Sequence, residues 1–207
     1  TSLRDYNQMI YIVERVCGIC SCIHALCFCH AIEHMMNIEV PRRAVYLRTI
    51  WSELHRMHSH LLWLGLFADA LGFESLFMQF WKIRERIMDI NEATAGNRVI
   101  ISTNIVGGVR KDLSREHQRW ILDELDEIET EMRRLEKVTM DDYTIKTRTV
   151  GLGVLSAEEA LRLGAAGPTL RGSGVAQDAR QLGYAAFAEL GFTPVTALYG
   201  DCWARTK

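Results

Sequence analysis

Apolar and polar positions follow a helical period over most of this chain. From Arg42 to about Leu71, apolar residues recur at Val45, Ile50, Leu54, Met57, Leu61, Leu64 and Ala68. Steps of three and four line one face of a long helix. Pro41 suits the first turn of that helix and Gly72 suits its stop. Residues 74–95 repeat the pattern with Leu76, Phe77, Phe80, Ile83, Ile87 and Ile90 on one face, and Gly96 ends it. Upstream, 8–38 predicts one helix, closed at "NIEVP" because the residue before Pro41 is pushed out of the helical region. "RVIISTNIVGGV" (98–109) is β-branched and closes on a glycine pair, which predicts extended chain and a turn. Asp112 or Ser114 then caps a highly charged helix with a stripe of Trp120, Ile121, Leu125, Ile128, Met132 and Leu135, its charged positions forming a solvated face. Beyond 141 the pattern is short-ranged and Gly-rich, with Ser156 and Glu159 spaced as a capping box for "AEEALRLG".

The expected fold is therefore mainly α: a long-helix bundle core over 1–140 and a smaller mixed α/β part over 141–207. Composition agrees with a folded protein, since 48% of the 207 residues are hydrophobic and 24% charged. A net charge of −2 gives no electrostatic case for nucleic acid. The most apolar run, "LLWLGLFADALGF" (61–73), is too short for a membrane span and carries Asp69. The N-terminal stretch lacks the basic start and unbroken apolar core of a signal peptide. A reducing compartment is expected, where clustered cysteines favour metal or redox chemistry over disulfides.

That cluster is "VERVCGICSCIHALCFCHAIEH" (13–34), which holds five of the six cysteines and three of the seven histidines. Cys17, Cys20 and His24 are spaced i, i+3, i+7, one turn apart on a helical face. A Cys-x-x-Cys pair of thiolates suits zinc, copper(I), iron–sulfur or nickel. Gly18 allows the backbone to bend close to a metal. His24 alone is more often a packed core histidine than a ligand; one turn after Cys20, it could instead donate a hydrogen bond to that sulfur. Cys22, Cys27 and Cys29 point around the helix in several directions and cannot share one metal. They and the isolated Cys202 read as small hydrophobes. His55, His58 and His60 read as polar or packing residues unless the fold brings one to the cluster. No second Cys-x-x-Cys completes a zinc ribbon, and no β-α-β pattern supports a thioredoxin-like pair.

"RVCGICSCIHALCFCHAIE" resembles the first nickel-ligand motif of nickel–iron hydrogenase large subunits, Arg-x-Cys-Gly-x-Cys-x-x-x-His, with Arg15, Cys17, Gly18, Cys20 and His24 all in place. The continuation to "LLWLGLFADALGF", and "TVGLGVLSAEEALRLGAAGPTLRGSG", are similar to the energy-converting, membrane-bound branch and its relative, the 49-kDa subunit of respiratory complex I. The complex I subunit lacks the cysteine pair, so Cys17 and Cys20 favour the hydrogenase branch. The resemblance implies Cys17 as a terminal nickel ligand, Cys20 as a bridge between nickel and iron, and His24 as a hydrogen-bond partner near the bridging sulfur. Arg171, in "LRGSG", matches a family motif and is carried over as a structural or cofactor-site-lining residue. The family's second Cys-x-x-Cys and its later Pro-Arg or Pro-Lys segment are not in this sequence, which therefore reads as an internal portion of a longer subunit.

The resemblance further implies a nickel–iron centre with diatomic ligands and reversible dihydrogen oxidation. It implies iron–sulfur clusters on a small electron-transfer partner, membrane ion-translocating subunits, maturation factors, and a peripheral place on the inner face of the cell membrane. Two other readings compete. One is a quinone-oxidoreductase-like scaffold with a vestigial cysteine pair. The other is a small helical protein that stores zinc or copper.

Overall fold

The computed structural model describes residues 3–206. They form two compact units that divide between Arg133 and Arg134.

The first unit opens with a departure from the sequence pattern. The single helix expected over 8–38 is two helices, α1 (Tyr6–Val13) and α2 (Ser21–Met36), separated by a 3-10 turn and an irregular loop. Asp5 starts α1 by accepting the Gln8 N–H at 2.9 Å. After the turn Glu14–Val16, Cys17 swings into extended backbone at φ −147°, ψ 125°. The N–H groups of Ile19 and Cys20 then face the Cys17 sulfur instead of continuing a helical ladder. Gly18 removes the Cβ in between, which weakens any competing helix by ~1 kcal/mol. Asn37, left-handed at φ 51°, ends α2.

Two helices form the frame of this unit: α3 (Arg42–Ala70) and α4 (Glu74–Ala95), a hairpin closed by the turn at 71–73. Pro41 stands just ahead of α3, and its carbonyl accepts the Val45 N–H at 3.2 Å. Gly96, at φ 89°, stops α4. Leu47, Trp51, Leu54 and Leu61 of α3, and Phe80, Ile83, Ile87 and Ile90 of α4, are all buried. The indole N–H of Trp51 donates to Thr94 across the hairpin at 3.2 Å. Gly65 admits the Trp81 ring so closely that a Cβ there would lie 2.5 Å from it.

A two-residue antiparallel ladder, β1 (Asn104–Ile105) with β2 (Gly108–Val109), pairs Asn104 with Val109 and Ile105 with Gly108. Gly107 supplies the turn at φ 83°. One buried ion pair ties the ladder to α2 and α3. Arg48 holds both oxygens of Glu33, at 2.6 and 2.9 Å, and donates to the carbonyls of Ile105 and Gly108. Glu33 in turn accepts the Gly107 N–H at 2.7 Å. Of the two expected caps for α5 (Arg115–Asp141), Ser114 is the one that forms, accepting the His117 N–H at 3.0 Å. Asp112 pairs with Arg43 instead. Ile121, Ile128 and Leu135 are the buried stripe of α5. Arg86 of α4 reaches Glu124 at 2.8 Å.

The second unit is built of short helices: α6 (Tyr143–Thr149), α7 (Ala157–Arg162), α8 (Gly167–Gly172), α9 (Phe187–Leu190) and α10 (Cys202–Thr206). The mixed α/β character expected for 141–207 is corrected here: among the described residues this unit has no strand. Its glycines end helices rather than strands, and side chains supply the caps. Asp142 accepts the Ile145 N–H at 2.7 Å, Ser156 the Glu159 N–H at 3.2 Å. Asp201 bridges segments by accepting from Gly151 and Ala204. Ile145, Ala160, Leu170 and Phe187 are buried. Among the described residues, no helix is long and apolar enough to cross a membrane.

Candidate metal centre

The loop between α1 and α2 brings Cys17, Cys20 and His24 together. Their ligand atoms all lie within 4.8 Å of one another. Cys20 is the residue ahead of α2, and its carbonyl accepts the Ile23 and His24 N–H groups. One helical turn on, the His24 Nε2 sits 3.2 Å from the Cys20 sulfur. The three are partly exposed.

The two thiols are unequal. Hydrogen bonding from Cys20, joined by the Cys20 and Ile19 backbone N–H groups, pulls the Cys17 thiol below its ordinary value. Burial, with the adjoining Cys17, pushes the Cys20 thiol up. Cys17 is therefore the readier thiolate of the two. Two soft sulfurs and an imidazole are a donor set for nickel, iron, zinc or copper(I). Two sulfurs and an imidazole could hold one soft metal ion, and in that sense the residues fit a thiolate-bound centre.

The remaining cysteines diverge. Cys22 and Cys29 are buried and Cys27 is exposed. Burial pushes the Cys22 thiol up to about 11 and that of Cys29 to about 12, so both are inert thiols at neutral pH. Asn104 contacts the Cys22 sulfur at 3.4 Å. Cys202 belongs to the second unit, as does Arg171, whose guanidinium donates to Asp178 at 2.7 Å. Asp178 also takes Arg180, which first and foremost holds its carboxyl far below the usual carboxylate range.

Residues outside the motif surround the loop. Glu14 is buried three positions before Cys17, accepts the Ser102 hydroxyl at 2.6 Å, and has its pKa raised by burial. His55 and His58 of α3 are fully buried, and their rings meet edge to face with centroids 5.4 Å apart. Nothing local in the sequence marks these three: a single acid and two histidines at i, i+3 are common on any helix.

Fold and site together define a mainly helical protein in which two thiols and an imidazole could hold a soft metal ion. Comparison with known proteins places it further. Residues 2–68 match the family model described as nickel-dependent hydrogenase, and 70–207 the one described as respiratory-chain NADH dehydrogenase, 49 Kd subunit. The chain is 43% identical over 196 residues to the alpha subunit of the membrane-bound hydrogenase of Pyrococcus furiosus, covering 93% of this chain and 45% of that one. It is 38% identical to the carbon monoxide-induced hydrogenase of Rhodospirillum rubrum, with 98% and 56% covered. It is 35% identical to an NADH-quinone oxidoreductase subunit of Acidithiobacillus ferrooxidans, with 98% and 55% covered. A chain in the structure of an archaeal membrane-bound sulfane sulfur reductase superposes with a TM-score of 0.92 at 29% identity, over 97% of this chain and 54% of that one. The chain spans about half the length of the curated relatives it matches. It belongs to the family that unites the large subunits of energy-converting nickel–iron hydrogenases with the 49-kDa subunits of respiratory complex I.

Proposed function

We propose that this chain supplies the first ligand pair of a nickel–iron hydrogenase large subunit, in a membrane-bound complex that interconverts dihydrogen with protons and electrons. The observation that carries the reading is the convergence of Cys17, Cys20 and His24 in one loop. A scaffold without metal chemistry has no need of two thiols and an imidazole packed so closely.

Cys17 and Cys20 hold the metals through sulfur. The centre, when bound, supplies Lewis acidity for splitting dihydrogen and a store for its electrons. Cys17, the readier thiolate, is the easier of the two to deprotonate for binding. His24 donates its Nε2–H to the Cys20 sulfur and so withdraws charge from that ligand. Arg171 is the family-motif residue of the second unit, its guanidinium oriented by Asp178. The partners in this reading are a small iron–sulfur subunit, membrane ion-translocating subunits and the maturation factors that load the metals. The complex sits on the inner face of the cell membrane.

The match of 70–207 to the 49-kDa complex I subunit favours one other reading, a quinone-oxidoreductase scaffold whose cysteine pair is idle. Metal analysis of the complex, isolated anaerobically with its native partners, separates the two. Nickel at one per chain, with iron beyond that of the clusters, is expected. Absence of nickel from the mature complex sinks the hydrogenase reading. In the same complex, Cys20→Ser is expected to abolish dihydrogen-dependent dye reduction, and full retained activity would equally refute it.

A further inference from the structure

The buried charged residues of this chain have polar partners, with one exception. Among the described residues, Glu33 and Arg48 hold each other, and Asp178 is held by Arg171 and Arg180. Asp201 accepts from Gly151 and Ala204, and Glu14 accepts the Ser102 hydroxyl. The exception is Arg84 of α4. It is 6% exposed, and its Nε is fully buried and closes no hydrogen bond. The Trp81 ring lies 5.0 Å from the guanidinium carbon and covers one side of it. A ring face attracts the cation but gives its N–H groups no oxygen to bond.

The acids of α3 and α4 are engaged elsewhere or stand away. Glu53 pairs with Arg56 at 2.9 Å. Glu85, the next residue along α4, pairs with Arg98, as do Asp89 and Glu92. Asp69 and Glu74 are exposed beside the hairpin turn. A guanidinium keeps its proton at any ordinary pH, so Arg84 cannot become neutral to escape its burial. A buried charge of this kind requires an opposite one.

Two contacts fix how the helices face each other: Trp51 with Thr94 at one level, and Gly65 with Trp81 at another. This antiparallel register brings Arg84 to about one turn from the level of His58. His58 is 0% exposed, and neither of its ring nitrogens has a partner. Burial, and then the Arg84 charge, hold the ring neutral, which leaves it one N–H to donate. His55 and Asn91, further along the seam, also lack partners, but each offers acceptors as well as donors and can be satisfied by water. Arg84 offers donors only. The acceptor it needs lies inside the fold, because its Nε is closed to solvent and leaves no path for a carboxylate carried on another chain. In a packed seam, the smallest anions ask least of their surroundings.

We propose that the Arg84 guanidinium holds a compact monovalent anion of the halide class within the α3–α4 seam, with the His58 N–H as its second donor. The ion balances the charge that the chain leaves uncompensated and braces the hairpin that frames the first unit. This inference does not rest on the metal reading, and its test needs no metal.

Thermal unfolding of the full chain is compared in sodium chloride and in sodium gluconate at equal ionic strength, gluconate being too bulky for the seam. Chloride at about ten times its dissociation constant is expected to raise the melting temperature by about 3–6 °C, and the rise is expected to saturate. Arg84→Met is expected to lose the difference between the two salts. Lys82→Met, which removes an exposed cation two positions away, is expected to keep it. A rise that never saturates, or one that survives in Arg84→Met, overturns the proposal. A second measurement uses the unaltered chain and does not depend on a variant folding. Crystals grown in sodium bromide are expected to show a bromide anomalous peak within hydrogen-bond distance of the Arg84 Nε. No peak there, or a peak without anomalous signal, which is water, overturns it. So does bromide in the crystal with no saturable shift in solution, an adventitious ion only.

Discussion

At the scale of single residues, this chain separates groups that hold the fold from groups that hold a metal. Glu33 and Arg48 hold the fold. Both are almost fully buried, and every strong donor and acceptor they own is engaged by the other or by the ladder. Removing one partner leaves the other charge stranded. Glu33→Ala is expected to destabilise the first unit by about 3–5 kcal/mol in denaturant unfolding. A loss under about 1 kcal/mol would place the pair among ordinary surface bridges. Cys20 is the opposite case. It precedes α2 without making a side-chain cap. Cys20→Ser is therefore expected to leave the melting temperature of the metal-free chain within about 2 °C, since little structure depends on the thiol. The sequence shows this residue-scale site well where the signal is a spacing, as for Cys17, Cys20 and His24. It hides the setting of Glu14, whose partner Ser102 lies 88 positions away, and no periodicity records that meeting.

At the scale of elements, the two long helices were legible to within a residue or so, and the reason is physical. Each has one apolar stripe long enough to outvote local exceptions, and each ends on a recognisable stop near Gly72 or at Gly96. The stretch 8–38 misled because apolar residues continue on both sides of the loop. A short break leaves a helical pattern nearly intact, while the cause of the break, amide groups turned to a sulfur, has no periodic trace. Capping was legible in kind, and the choice between Asp112 and Ser114 was settled by Arg43 drawing Asp112 away. The α3–α4 contact makes its own prediction. A Cβ at Gly65 meets the Trp81 ring at 2.5 Å. Gly65→Val is expected to cost about 1–3 kcal/mol through overpacking, despite valine's larger apolar area. Thermal unfolding measures it, and a variant as stable as the parent would mean that the hairpin slides apart freely.

At the scale of the whole molecule, two compact units answer to different chemistry. The second is pinned by carboxylates of depressed pKa, Asp178 above all. The first contains buried imidazoles. His58 has an ordinary value of 6.5 and a folded value of about 4. Between those values the unfolded chain binds a proton that the folded chain refuses, so stability rises with pH across that window and is lost as pH falls through it. The first unit is expected to be insensitive to pH above about 7 and to weaken by up to about 3 kcal/mol on acidification towards pH 4. Amide exchange in α3 follows that loss, and His58→Leu is expected to flatten the profile. A profile unchanged in that variant would assign the acid sensitivity to another group. The change in pattern near 140 is a change to short helices, and among the described residues the second unit has no strand. Glycine-rich, short-period sequence specifies turns without saying which element lies between them.

The missing cap at Cys20 has a longer reach than its own small energy. A scaffold whose ion pair, helix hairpin and ladder stand without the cysteines can shed them and keep its shape. Ancestors of such a chain could lose a metal and survive the loss as folded proteins, free to acquire another trade. That one family today includes both hydrogenases and quinone oxidoreductases is what inheritance of a self-sufficient frame would leave behind.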